Sequence, residues 1–61
     1  MKDYVLTVFE KNGNKVLDQT FSASSDQEAK EKGINILEEN NYSAYTHRCV
    51  TSDGKLILFS S

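Results

Sequence analysis

The residue types best suited to chemistry stand close together. Tyr45, His47 and Cys49 alternate along one segment, and a strand there would place all three side chains on one face because successive residues of a strand point to opposite sides. A His and a Cys two residues apart can contribute to a zinc site, and a Cys beside a protonated His can become a reactive thiolate. Both readings need more than the chain offers. Zinc takes three or four protein ligands, and the chain has one His and one Cys, so a site would require carboxylates or a second subunit. The competing reading makes Cys49 a small buried apolar residue, with His47 at the sheet surface or its rim, and it needs no further ligand.

Other catalytic patterns are missing. Glu38 and Glu39 are neighbours on a helical segment, pointing about 100° apart, and Asp26, Glu28 and Glu31 crowd the first turns, where acids favour the positive end of the helix dipole. Gly13, Gly33 and Gly54 are too scattered for a phosphate loop. No catalytic, cofactor-binding or metal-binding residue is assigned.

The elements that would position these residues follow from apolar patterning. Asp3 to Glu10 is rich in aromatic and β-branched residues and reads as a strand. Lys15 to Phe21 is a second, and Asn12-Gly13 between them is a hairpin signal because both residues tolerate positive φ. A two-residue turn pairs Phe9 with Val16 and Val8 with Leu17; a three-residue loop closed by Gly13 shifts the register by one, and the two remain open at this level. In the first register Tyr4, Leu6, Val8, Leu17 and Phe21 share one face, while Val5, Phe9 and Val16 share the other.

Ser25-Asp26-Gln27-Glu28 is a capping box. The helix it opens carries Ala29, Gly33, Ile36 and Leu37 as a narrow inner stripe with Ile34 on its flank. Gly33 costs about 1 kcal/mol against Ala inside a helix, which points to a close approach to the sheet beneath. Asn40-Asn41 supplies a left-handed stop closed over by Tyr42. Tyr42 to Thr51 and Lys55 to Ser60 are two further strands around the hairpin signal Asp53-Gly54.

The expected fold is therefore α+β, a single ββαββ domain over residues 1–61. Its four-stranded mixed sheet takes the β-grasp order 2-1-4-3, with strands one and four central and parallel and the helix across one face. The analogy is to the immunoglobulin-binding domain of protein G and transfers no function.

Composition bounds the function. The 61 residues are 38% hydrophobic and 26% charged, with a net charge of -2. A chain of this size buries roughly 60% of its unfolded surface, too little to enclose a deep substrate cavity as well. The net charge disfavours nucleic acid, whose binding draws on a basic surface. No apolar run suffices to span a membrane and no secretory signal is legible. With a single cysteine, the expectation is a cytoplasmic protein.

Charge is uneven. The segment 26–41 carries five acids and two bases, net -3, so the helix side is acidic. Lys15, Arg48 and Lys55 lie among Phe9, Tyr45 and Phe59, a mixture that single-strand nucleic-acid binders use, although three bases do not make a groove. The dominant feature is an apolar surplus. Leu56-Ile57-Leu58-Phe59 puts two large residues on each sheet face, and one helix covers only one of them. The open face, with Val5, Phe9, Val16, Tyr45, His47 and Arg48 as its candidate interaction residues, is expected to be covered by a second copy of the chain or by another protein.

With these residues in view, the chain resembles the YhzD-like family of short Bacillus proteins, nearly end to end. The resemblance is carried by Tyr4 with Leu6-Thr7-Val8-Phe9-Glu10, Glu28-Ala29-Lys30 with Leu37-Glu38-Glu39, Thr46-His47-Arg48-Cys49, and Asp53-Gly54-Lys55-Leu56 leading into Leu58-Phe59. Asn40-Asn41-Tyr42 departs from it by placing Asn where a Gly is expected before the Tyr. The resemblance implies a cytosolic bacterial protein and no mechanism. The expected function is a non-catalytic protein-binding or structural module; the alternatives are single-stranded nucleic-acid binding on the open face and a metal or thiol site at His47 and Cys49.

Overall fold

The computed structural model describes residues 1–60. The chain runs β1 (Lys2–Phe9), β2 (Lys15–Ala23), α1 (Asp26–Glu39), β3 (Thr46–Thr51) and β4 (Leu56–Ser60). The ββαββ order is as expected; the strand order is not. The sheet is β2-β1-β3-β4, and all three pairings are antiparallel. The parallel contact between the first and last strands in the order 2-1-4-3 is therefore replaced by an antiparallel β1–β3 pair. The physical reason lies in the two candidate partners of β1. All three inward residues of β3, His47, Cys49 and Thr51, are buried, whereas β4, five residues long, turns inward only Ile57 and Leu58, both half-buried. The strand with the fuller buried face takes the centre, and antiparallel pairing is slightly the more stable per residue.

Both hairpins are built alike. Gly13 N donates to Glu10 O and Glu10 N to Asn14 O, so the first loop is the three-residue alternative, Lys11-Asn12-Gly13, with Gly13 at φ 89. A bulge then skips Val16 and returns the register to Val8 opposite Leu17. In the second hairpin Gly54 N donates to Thr51 O, Thr51 N donates to Lys55 O, and Gly54 sits at φ 93. Its bulge skips Ile57, leaving Cys49 opposite Leu58. Both skipped residues, Val16 and Ile57, pack against the core. Val16 thus leaves the face expected to hold it beside Val5 and Phe9.

The helix starts and stops as its sequence dictates. Ser25 is the N-cap, its Oγ accepting from Glu28 N at 3.2 Å. Glu28 reaches back one residue further than a standard capping box, accepting from Ser24 N and Ser24 Oγ at 3.3 and 2.8 Å. At the other end Asn41 takes φ 61 and Tyr42 N donates to Leu37 O. The third strand begins only at Thr46, because Tyr42 to Tyr45 form a turn in which Tyr45 N donates to Tyr42 O.

The core lies between α1 and the sheet face carrying Tyr4, Leu6, Val8, Ala23 and Cys49, with Ala29 and Leu37 above them. Gly33 is also buried, and a Cβ there would meet Leu58 Cδ2 at 3.4 Å. The approach leaves room for a methyl group but little more.

One polar link crosses the core's end. Tyr4 Oη, on a fully buried residue, donates to Asp26 Oδ1 at 2.8 Å, and Lys55 Nζ donates to Asp26 Oδ2 at 3.1 Å. Burial, then the bond to Asp26, pushes the Tyr4 hydroxyl up to about 12 from 10.0. The folded protein therefore holds this proton more tightly than the unfolded chain, so the stabilisation is complete below pH 10 and is lost as the pH rises to about 12. The bonds from Tyr4 and Lys55 lower the Asp26 carboxyl. Its contribution is accordingly present above the ordinary value of 3.8 and lost in acid. Tyr4→Phe is expected to flatten the alkaline fall in melting temperature and shrink the acid one, and thermal melts across the pH range read both.

Candidate open-face interface

The sheet face opposite α1 is built from alternate residues of all four strands. In β1 these are Asp3, Val5, Thr7 and Phe9, since Tyr4, Leu6 and Val8 point to the helix. Cross-strand register carries the same face outward. Thr7 lies opposite Asp18 on one side and Arg48 on the other, and Arg48 lies opposite Phe59. Val5 lies between Thr20 and Val50, and Val50 lies opposite Leu56. Two parallel rows result, Asp18-Thr7-Arg48-Phe59 and Thr20-Val5-Val50-Leu56.

The apolar members are left uncovered. Phe59 is 59% exposed and Leu56 51%, while Val5, Phe9 and Val50 are half-buried by their neighbours in the sheet. The Arg48 guanidinium sits 5.7 Å from the centre of the Phe9 ring, a cation–π contact. Lys15 Nζ pairs with Asp18 Oδ2 at 2.9 Å. At the Phe9 end the face runs into an open cleft of about 510 Å3 lined by Phe9, Glu10, Lys11, Ala44, Tyr45 and Thr46.

The six candidate residues divide. Val5, Phe9 and Arg48 lie together on the open face. Tyr45 lies beyond β3, 38% exposed, in the cleft beside Phe9 and packed on Tyr42 with ring centres 5.0 Å apart. Val16 is turned into the core by its bulge. His47 lies on the covered face, only 7% exposed, its Nδ1 2.8 Å from Tyr45 O. A carbonyl only accepts, so Nδ1 carries the hydrogen. Leu56, Phe59, Val50 and Asp18 belong to the face but were not among the candidates. The alternation of Val50 with Cys49 was the available signal for Val50, and the bulge at Ile57 hid the phase of Leu56 and Phe59.

The three chemically versatile residues are not assembled into a site. His47 and Cys49 share the helix-covered face, but Tyr45 has left the strand. Cys49 is fully buried, and burial pushes its thiol up, away from the thiolate that nucleophilic or metal chemistry requires. Among the described residues no group of three His, Cys, Asp or Glu side chains is placed to hold a metal ion. None of their helices is long and apolar enough to cross a membrane.

Comparison with known proteins agrees with the sequence resemblance. Residues 1–61 match the family described as YhzD-like protein. The chain is 44% identical over 59 residues to the uncharacterised protein YhzD of Bacillus subtilis (strain 168), covering 97% of each sequence. No solved structure matches.

Proposed function

The chain belongs to the YhzD-like family, and from that footing we propose that it acts as a non-catalytic protein-binding module in the cytoplasm, with the open sheet face as its binding surface. The observation that carries this reading is the gathering of Leu56, Phe59, Val50, Val5 and Phe9, the first two mainly exposed and the others half-buried, on the one sheet face that no helix covers. Apolar patches of this kind on small soluble proteins mark interaction surfaces, and Arg48 and Phe9 are of residue types enriched in protein interfaces.

Single-stranded nucleic acid has less support. Of the three bases considered for it, Lys15 is paired with Asp18 and Lys55 with Asp26, and only Arg48 has no ion pair among the described residues. A thiol or metal function has less still, given the buried Cys49.

A photo-crosslinking residue placed at position 59 is expected to capture a protein in living cells, while the same residue at position 34, where Ile34 is 44% exposed on the helix, captures none. Capture from position 34 alone, or from neither position, would sink the reading.

A further inference from the structure

We propose that the occupant of the open face is a second copy of this chain, docked face to face about a two-fold axis that runs along the strands between β1 and β3. The proposal rests on the reading of that face as a protein-binding surface and names its partner.

Charge selects the partner. Segment 26–41 on the helix side carries net -3. The open face carries Asp3 and Asp18 against Lys15 and Arg48, net zero. A strongly acidic or basic partner gains little there, whereas two copies joined by this face turn both acidic helices outward, away from each other.

Position selects the axis. Asp18, Thr7, Arg48 and Phe59 form one row across all four strands. A two-fold along the strands turns the row over and sets Arg48 only about one strand spacing, roughly 4.8 Å, to the side of the partner's Asp18, so that the two side chains reach each other across the roughly 10 Å between stacked sheets. The reciprocal contact forms at the same time, because the interface is isologous. A two-fold lying along this row would instead set Arg on Arg and Asp on Asp. Lys15 uses Oδ2 of the Asp18 carboxylate, and among the described residues nothing else donates to Oδ1.

Shape agrees with the same axis. Val5 meets the partner's Val50. The tall exposed residues of β4, Leu56 and Phe59, come over β2 of the partner, where the two rows end in the smaller Thr20 and Asp18. The face is about 19 Å across its four strands and about 17 Å along β4, taking standard strand dimensions. That is below the size of a standard stable interface, so the dimer is expected to be reversible, forming between about 10 μM and 1 mM.

Sedimentation of the purified protein over that range tests it. The wild type is expected to shift from monomer to dimer. Arg48→Asp and Asp18→Arg, both at exposed positions, should each weaken self-association by about tenfold or more. An equimolar mixture of the two variants should recover dimer, because each supplies the sign the other has lost. Phe59→Ser should weaken association independently of charge, and circular dichroism confirms that each variant is folded. A wild type that stays monomeric at 1 mM overturns the proposal, as does a mixture that associates no better than either variant alone. If the wild type is monomeric while position 59 still captures a different protein in cells, the second-copy proposal fails and the binding-surface reading stands. Capture of nothing from that position removes both.

Discussion

Leu6→Ala is expected to leave most of the protein unfolded at 37 °C. Leu6 is fully buried at the middle of β1, flanked by Gln19 of β2 and Cys49 of β3 on the face that α1 covers. Truncating such a residue costs about 2–5 kcal/mol, the lost transfer energy plus the cavity left behind. A core of this size supplies only about 3–5 kcal/mol in all. The two quantities are of the same order, which is why a single methyl cluster decides whether the domain folds. Val5, the adjacent residue, points to the open face and is half-buried; Val5→Ala is expected to cost less than about 1 kcal/mol. Thermal melts followed by circular dichroism compare the two, and a Leu6→Ala melting temperature within a few degrees of the wild type would contradict this account of the core.

Leu37→Ala is expected to free the helix from the sheet. The buried stripe of α1 consists of Ala29, Gly33 and Leu37, so Leu37, 2% exposed, is its single large anchor. Ile36 only packs at the margin and Ile34 is 44% exposed. An isolated helix of 14 residues is marginal in water. Removing about 2–4 kcal/mol of docking energy should therefore release and unravel it. Amide hydrogen exchange reads this directly: in Leu37→Ala the helical amides should lose protection more than those of β1, whereas Ile34→Ala should leave both unchanged. Equal loss everywhere would mean that helix and sheet unfold as one unit.

Much of this arrangement was legible beforehand, for identifiable reasons. The helix could be placed to within a residue or two because both its ends are encoded locally, by the Ser25 hydroxyl at one and the Asn40-Asn41 stop, with Asn41 at positive φ, at the other. The faces of β1 followed from strict alternation. The position of β4 did not, since choosing between β3 and β4 as the neighbour of β1 is a long-range competition that no local residue announces. Arg48, Val5 and Phe9 were recognisable as surface candidates because β1 and the start of β3 are regular. Val16 and the β4 residues were misplaced or missed at the bulges, where one unpaired residue inverts the phase of everything beyond it. His47, expected at the sheet surface or its rim, lies inside, where a single backbone carbonyl at Tyr45 holds its ring.

The likeness of the two hairpins extends to the whole sheet. Half a turn about the normal between β1 and β3 carries β1 onto β3 and β2 onto β4, Gly13 onto Gly54, Val16 onto Ile57 and Leu17 onto Leu58. The sheet therefore possesses an approximate internal dyad that no stretch of repeated sequence betrays. The helix, which has no counterpart under that rotation, is what breaks it. Backbone positions on the two hairpins should accordingly be regarded as pairs of equivalent sites, told apart by their side chains and by which end of α1 lies above them.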